Sequence, residues 1–307
     1  MIQKLYHQIK NKLEENQYTV NPFREIQYGL QFLVFNKNNA SLLRLYQSKK
    51  GKKLDLSQCQ NDEEKERICI ILANIIKEHD LIKSPNQKKE ASSKSKNLKY
   101  HELIGVDESG KGDYFGPLVV AAVYVDKKKS DILDILGVKD SKTLDDRKIT
   151  ELAEQIKETC PFSIINMGNA SYNELYEKMQ NLNHLLSWGH AKAIENVLKQ
   201  QPCQTALSDK FAPQTLIKAG LLNKGIDINL IEETKAEQNI AVAAASILAR
   251  ATFIEELQKL SNIYKFKFPK GCSNQSKLAA QHFYEKHGPK ELCYIAKLHF
   301  KITNELS

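Results

Sequence analysis

The sequence lacks any pair of cysteines spaced as C-x-x-C, although it contains six cysteines in 307 residues. The cysteines are scattered along the chain, which argues against a structural zinc site and against a disulfide framework. Scattered free thiols are typical of proteins in a reducing compartment. We therefore predict a cytoplasmic protein.

The sequence also lacks an apolar run long enough to span a membrane, so we predict no membrane partner. Its first segment, MIQKLYHQIKNKLEENQ, is amphipathic and of mixed charge, unlike a signal peptide. No segment repeats with a period of about 20–50 residues. What remains is an ordinary globular composition, 41% hydrophobic and 27% charged, and the length suggests two domains.

Positive charge is concentrated in the first third of the chain. Residues 1–100 hold 19 of the 45 Lys and Arg but only 11 of the 37 Asp and Glu, which leaves 26 of each sign for the remainder. Such an asymmetry indicates an N-terminal part that binds a polyanion. A solvated, lysine-rich surface would give the same numbers, so both interpretations stay open at this point.

The stretch 102–123, ELIGVDESGKGDYFGPLVVAAV, is the most informative part of the sequence. Two apolar runs in it predict buried strands. Between them, Asp107 and Glu108 lie where the first strand gives way to a glycine-rich loop. A buried carboxylate is costly unless it is paired or binds a metal, so these two acids require an explanation.

Three interpretations of this stretch remain open on these residues alone. The acids can be ordinary strand-end residues beside a hairpin turn. Residues 105–112 match the start of a phosphate-binding loop, G-x-x-x-x-G-K, but Gly112 stands where that loop needs Ser or Thr. The third interpretation is a carboxylate site for a divalent metal, beside a backbone that a ligand approaches closely.

Hydrophobic periodicity divides the chain into two folded parts. A helix at 3–16, strands at 27–36, at 41–47 and around Leu54 and Leu56, and a helix at 62–79 predict a small α+β domain. Residues 84–99, rich in Ser, Lys and Pro, predict a flexible linker. Beyond the linker, strands are predicted at 102–107, 116–125, 161–167 and 204–208, and helices at 143–159, 171–179, 182–200, 213–221 and 238–262. This alternation predicts an α/β sheet covered by helices.

Two further acids follow the same logic as the first pair. Asp209 comes directly after a short strand, and Glu237 precedes an alanine-rich helix whose small residues allow close packing on a sheet. Sites in α/β sheets form at the carboxyl ends of strands, so Asp107, Glu108 and Asp209 can converge. Taken singly, each acid is more often a helix cap or a loop residue, and the four together make the stronger case.

These residues resemble the family of ribonucleases HII and HIII. The Asp-Glu pair at 107 and 108, the Gly-Lys-Gly loop at 110–112, the Asp-Ser-Lys segment at 140–142 and the Trp-Gly-His helix at 188–190 all match the family pattern. Asp209 matches its third acid. Two features favour the HIII branch: Lys111, where ribonuclease HII has Arg, and Glu237, where it has Asp.

The resemblance implies a fold class and a domain plan. It implies an α/β, ribonuclease H-like mixed sheet flanked by helices, preceded by a small N-terminal α+β domain similar to the TATA-binding protein. The expected division is a substrate-binding domain at 1–83, a flexible linker at 84–99 and a catalytic domain at 100–307. The N-terminal match rests on size, element content and charge only.

The resemblance also implies a reaction: internal hydrolysis of the RNA strand of an RNA–DNA hybrid, leaving 3′-hydroxyl and 5′-phosphate ends. The expected catalytic and metal-binding residues are Asp107, Glu108, Asp209 and Glu237, which suit two Mg²⁺ or Mn²⁺ ions because hard cations prefer oxygen ligands. No His or Cys is expected among these acids, so zinc is not expected as the bound metal. The expected substrate contacts are Ser109, Gly110, Lys111, Gly112, Tyr114, Lys142 and Arg250.

Two other functions compete with this one. The alternative within the family is ribonuclease HII-type incision at single embedded ribonucleotides, against which Glu237, Lys111 and the N-terminal domain argue. The alternative from another class is a nucleic-acid-binding protein without catalysis, which would tolerate changes at the four acids. The expected partner is the hybrid duplex, with no obligate protein partner and a monomeric state.

Overall fold

The structure of the protein is a computed structural model that describes residues 2–36, 39–48, 51–79, 81–83, 102–139, 141–209, 215–222, 226–234 and 236–306. The chain forms two compact units, Met1–Asn97 with Lys128–Gly137, and Leu98–Lys127 with Val138–Ser307. The predicted linker at 84–99, the start of the catalytic domain at 100–101 and Asp140 lie outside the described residues. The predicted domain plan gives 128–137 to the catalytic domain, whereas the contacts group this segment with the first unit.

The first unit is a sheet with helices on its apolar face. Its elements in chain order are α1 Ile2–Glu14, β1 Thr19–Val20, β2 Arg24–Ile26, β3 Gly29–Asn36, β4 Asn39–Ser48, β5 Gly51–Gln58, α2 Asp62–Ile71, α3 Ala73–Glu78 and β6 Ile82–Lys83. The sheet order is β1-β3-β4-β5-β6, with β2 paired to β3. The apolar spacing predicted for the first helix is confirmed, because Leu5, Tyr6, Ile9 and Leu13 are all buried. They pack with Phe32 and Leu43 of the sheet.

The predicted helix at 62–79 is interrupted. Its start is capped by Asn61, whose side-chain oxygen accepts a hydrogen bond of 2.7 Å from the Glu64 amide. At Leu72 the backbone leaves the helical region, so two shorter helices form in place of one. The predicted third strand around Leu54 and Leu56 is confirmed as β5, where both leucines point into the core.

The second unit is the α/β sheet. The elements from Glu102 onwards are β7 Glu102–Ser109, β8 Leu118–Asp126, α4 Lys127–Leu136, α5 Asp146–Thr159, β9 Phe162–Met167, α6 Asn169–Met179, α7 Leu182–Leu198, β10 Thr205–Asp209, α8 Thr215–Leu222, β11 Asn229–Glu233, α9 Ile240–Tyr264, α10 Asn274–His287, α11 Leu292–Ile295 and α12 Lys301–Asn304. Most of α4 groups with the first unit. The elements missed from sequence include α4 and β11, because each carries polar residues that break the apolar pattern.

The sheet order is β11-β10-β7-β8-β9, with β7, β10 and β11 parallel and β8 and β9 antiparallel to their neighbours. Strand residues alternate between the two faces of a sheet. Ile104 and Val106 pack in the same core cluster as Leu185 and Ile194 of α7. The opposite face of β7 meets α9, because a Cβ added at Gly105 would collide with the backbone of Ala241. The fold class predicted from the sequence is therefore confirmed: a mixed sheet between helices.

Helix α9 lies close to β7 because the residues at the contact are alanines, as the sequence predicts. Ala241, Ala244 and Ala245 are fully buried, and small side chains let a helix axis lie near a strand. The helix begins after Asn239, whose side-chain oxygen accepts from the Ala241 amide at 2.9 Å. In the described part of the chain, no helix is long and apolar enough to cross a membrane.

Candidate active site

The two adjacent acids at the end of β7 point to opposite faces of the sheet. Asp107 follows Gly105 on the face covered by α9, and its carboxylate is hydrogen-bonded to Ser246 of that helix. Glu108 follows Val106 on the face covered by α7, and its Oε2 lies 3.1 Å from His190 Nε2. Each carboxylate is thus held by a polar side chain of the helix that covers its face.

The two carboxylates differ in their readiness to ionise. Burial raises the pKa of Asp107 to about 6, and the neighbouring charge of Glu108 adds to the rise. Burial opposes ionisation of Glu108 as well, but the His190 hydrogen bond and the charges of His190 and Lys111 outweigh it and lower its pKa. The Lys111 Nζ lies 3.5 Å from Glu108 Oε1. A cation bound beside Asp107 would favour the ionised form of its carboxylate.

His190 links two strands of the site. Its ring is fully buried; Nε2 meets Glu108 and Nδ1 lies 3.1 Å from the Ser208 hydroxyl, next to Asp209 on β10. The expectation that no histidine is placed among the acids is therefore wrong. The ring can reach the strand because Gly189 keeps α7 close, and a Cβ there would lie 2.9 Å from Val120 Cγ2. The Trp-Gly-His segment was the available sequence signal.

All four predicted acids open on one cavity of about 310 Å³. Asp209 reaches it from the end of β10, and Glu237 from a 3-10 turn, Ala236–Gln238, just before α9. The remaining lining residues are Ser109, Gly110, Lys111, Gly112, Ser141, Lys142, Ser246 and Arg250. Six of the seven predicted substrate contacts are thus brought together. Ser246 is an addition that sequence reasoning missed, and Ser141 belongs to the Asp-Ser-Lys segment, which the sequence highlights without a role for the serine.

Tyr114, the seventh predicted substrate contact, is a correction. Its side chain is fully buried, and its hydroxyl lies 3.1 Å from Thr303 Oγ1. Its ring packs edge-on against Phe115 and Phe300. Tyr114 therefore anchors the glycine-rich loop to the segment around Phe300 and Thr303. The prediction failed because an aromatic ring in a loop can be buried as easily as exposed.

The structure requires glycine at one position of the loop and not at the other. Gly110 has φ of +89°, and a Cβ there would collide with the Pro117 carbonyl oxygen. Gly112 has neither restriction, and no described residue lies within 4 Å of the position of a Cβ. The conformation of the loop requires the first glycine, whereas the second leaves open space at the cavity.

Basic side chains also line the cavity. Arg250 Nη1 donates to the Ser141 carbonyl at 2.7 Å, and Nη2 lies 3.4 Å from Asp146. Lys270 also binds Asp146, and its hydrogen bond, with the charge of Arg250, lowers the pKa of that carboxyl despite partial burial. The Arg250 head group is therefore held by Ser141 and Asp146, and Arg250 and Lys142 both line the cavity.

The donor set of the cavity has the chemistry of a hard-cation site. Its carboxylate and hydroxyl oxygens are ligands that Mg²⁺ and Mn²⁺ prefer. Within the described residues, no three His, Cys, Asp or Glu side chains are arranged to hold an ion in this conformation. The four acids thus share a cavity of suitable chemistry without forming a closed ligand shell.

Four acids, a glycine-rich loop and basic side chains around one cavity are the groups with which a phosphodiester hydrolase binds metal ions and a phosphate. The sequence pattern of the family described as ribonuclease HII matches residues 104–303, and the chain belongs to this family. It is an endoribonuclease of the hydrolase class. This agrees with the enzyme class predicted from the sequence.

Similar proteins within this family include several ribonucleases HIII. Ribonuclease HIII of Protochlamydia amoebophila is 48% identical over 203 residues, which are 66% of this chain and 67% of that protein. Among solved structures, Bst-RNase HIII in complex with Mn²⁺ is 27% identical with a TM-score of 0.64, covering 97% of this chain and 94% of its own. Ribonuclease H2 of Pyrococcus horikoshii, 26% identical with a TM-score of 0.57, covers 66% of this chain and 96% of its own. The predicted resemblance to ribonuclease HIII is confirmed.

Proposed function

We propose that the protein cuts the RNA strand of RNA–DNA hybrids internally and leaves 3′-hydroxyl and 5′-phosphate ends. The observation that carries the proposal is the single cavity lined by Asp107, Glu108, Asp209 and Glu237 together with the Gly-Lys-Gly loop. The similarity to Bst-RNase HIII over 97% of the chain supports a shared substrate class.

The four carboxylates would hold two divalent cations, Mg²⁺ or Mn²⁺. Bound there, the ions would activate water and stabilise the leaving oxygen of the phosphodiester. The residues fit this role by charge, since the pKa of Asp107 is raised by burial and by Glu108, and cations would offset both effects. That Bst-RNase HIII was solved in complex with Mn²⁺ gives further support.

Gly112 is proposed to admit the RNA strand. The 2′-hydroxyl of RNA lies in the wide minor groove of the duplex, where a backbone without a side chain can approach closely. Lys111, Lys142 and Arg250 would meet phosphates, which position a duplex without reading its sequence. We therefore propose little sequence preference.

We expect Gly112→Ala to reduce cleavage without loss of stability. The added Cβ meets no described residue within 4 Å, so the fold should tolerate it, whereas a substrate backbone would meet the extra methyl group. One misplaced methyl is worth ~1–3 kcal/mol, so kcat/KM on hybrid should fall about tenfold or more. Steady-state kinetics and thermal unfolding check this; full activity would mean that the substrate does not approach Gly112.

The first unit is proposed to bind the substrate as well, through residues that do not line the cavity. Support comes from the excess of basic residues in the first third of the chain, and Lys52 and Lys53 of β5 belong to that excess. Lys49 and Lys50 lie outside the described residues. Electrostatic binding of this kind weakens as salt rises, through release of counterions.

The decisive assay is cleavage of end-labelled duplexes with and without divalent metal. We expect rapid cutting of a hybrid with a run of four or more ribonucleotides in Mg²⁺ or Mn²⁺, none after chelation, and none of plain DNA. Product ends are read by their response to phosphatase and to ligation. Efficient cutting at a single embedded ribonucleotide would favour the ribonuclease HII-type alternative, and binding without cutting in any metal would overturn catalysis.

A further inference from the structure

Lys297 is a fully buried lysine in the segment between α11 and α12, remote in sequence from the acids. Lysine is almost never fully buried without partners that satisfy it. Burial lowers the pKa of its amine to about 7, against the opposing charge of Asp113. An arrangement this costly points to a specific role.

The hydrogen bonds of Lys297 go to the glycine-rich loop. Its Nζ donates to the carbonyl oxygens of Asp113 at 2.9 Å and of Gly116 at 2.6 Å. Its backbone amide donates to the Tyr114 carbonyl at 2.9 Å. One residue thus holds three carbonyls within four consecutive loop residues. The amine also lies 5.6 Å from the centre of the Tyr172 ring, a favourable cation–π distance.

Lys297 is itself held in place by α6. Asn173 of that helix donates to the Ala296 carbonyl at 2.9 Å and accepts from the Leu298 amide at 2.9 Å, on either side of Lys297. Asn169, also on α6, donates to the same Gly116 carbonyl at 2.8 Å. The loop is therefore bonded to α6 directly through Asn169 and indirectly through Lys297, and both side chains donate to the Gly116 carbonyl.

The held end of the loop leads directly to the cavity. The Asp113 amide donates to the Gly110 carbonyl at 3.2 Å, so the two ends of the Gly-Lys-Gly turn are bonded to each other. Fixing Asp113 therefore limits the positions open to residues 110–112, which line the cavity. Preorganisation of this kind reduces the ordering that substrate binding would otherwise require.

We propose that Lys297 is a positioning residue, which holds residues 110–116 in the shape that meets the RNA strand. The inference rests on the proposed function, which supplies the RNA strand as the molecule that the loop contacts. Lys297 acts through the loop backbone, at a distance from the acids of β7. Its loss should therefore weaken substrate binding rather than metal binding.

The test is Lys297→Met, which keeps a long unbranched side chain and removes the amine. We expect kcat/KM on hybrid to fall at least tenfold, mainly through a higher KM, at a temperature where circular dichroism shows a folded protein. Mn²⁺ affinity, measured on the protein alone, should change less than twofold. Hydrogen exchange should quicken at the amides of Tyr114 and Gly116 and remain unchanged along β7 and β8.

A second variant keeps the inference testable if Lys297→Met does not fold. Asn169→Ala removes one of the two donors to the Gly116 carbonyl and should raise KM about threefold. Asn196→Ala is the matched control, since Asn196 donates at 3.2 Å to Ser163, on β9, and should leave KM unchanged. The double variant of Lys297 and Asn169 should show less than the product of the single effects, because the two share an acceptor.

The outcomes separate the inference from the proposed function. A wild-type protein that cuts no hybrid in either metal overturns the function. A wild-type protein that cuts, together with a folded Lys297→Met variant or an Asn169→Ala variant of unchanged KM, overturns the inference. A Lys297→Met variant that loses Mn²⁺ affinity as much as activity also overturns it, because the lysine would then support the whole site rather than the loop.

Discussion

Asp107→Asn should abolish cleavage while the protein still folds and binds hybrid. Loss of one carboxylate from a metal-binding set removes several kcal/mol of transition-state stabilisation, and ~4 kcal/mol corresponds to about a thousandfold in rate. Asparagine keeps a side-chain oxygen for Ser246, and removal of a carboxylate whose pKa burial has raised relieves an unfavourable charge. Affinity for the duplex depends mainly on phosphate contacts and should persist.

The matched control lies at the other end of the same strand. Glu102 begins β7, where its Oε2 accepts a hydrogen bond of 2.9 Å from Tyr124, and Glu102→Gln retains an acceptor. Its cleavage rate should stay within about twofold of the wild type. Rates are measured with labelled hybrid in Mg²⁺ and in Mn²⁺, and affinities by titration in the presence of a chelator. Near-normal cleavage by Asp107→Asn in either metal would contradict the four-acid site.

Gly105→Ala should strongly destabilise the second unit. The new Cβ would overlap the backbone of Ala241 and Val242, which cannot turn aside as a side chain can. Overpacking of a core typically costs ~1–3 kcal/mol and occasionally more, and we expect the upper end, about 3 kcal/mol. For a unit of this size the melting temperature should fall by roughly 10 °C.

Activity should fall with Gly105→Ala even where the variant stays folded. Displacement of α9 moves Ser246 away from Asp107, and Glu237 precedes the same helix. Gly112→Ala is the control for stability, because it adds the same methyl group to open space and should not lower the melting temperature. An unchanged melting temperature for Gly105→Ala would show that α9 does not rest on β7 as described.

The sequence predicts that the four acids converge on one cavity, and it does so for a physical reason. Carboxylates that follow apolar strands are conspicuous, and parallel strands bring their carboxyl ends to one edge of a sheet. Asp107 and Asp209 accordingly lie on the paired strands β7 and β10. Glu237 is predicted by a different signal, the alanine-rich helix that must pack closely on its neighbour.

The supporting residues are less accessible to prediction. His190 lies on a mostly apolar helix, and nothing in its local spacing shows that it contacts Glu108 at the end of β7. Lys297 looks like an ordinary charged residue in AKLHF, because its burial depends on loop carbonyls far away in the chain. The error at Tyr114 has the same origin, since local sequence does not say which way a loop side chain turns.

The pairing of β7 with β10 bears on how the enzyme acquires activity during synthesis. Val106 and Ser208 are partners although about a hundred residues separate them in the chain, whereas β7 and β8 are joined by a short loop. Closing the longer connection costs more entropy and makes such contacts slow to form. A nascent chain that has already folded β7, β8 and β9 carries Asp107 and Glu108 but not Asp209 or Glu237. If the four acids act together as proposed, we expect cleavage activity to begin only when the chain through α9 has joined the sheet.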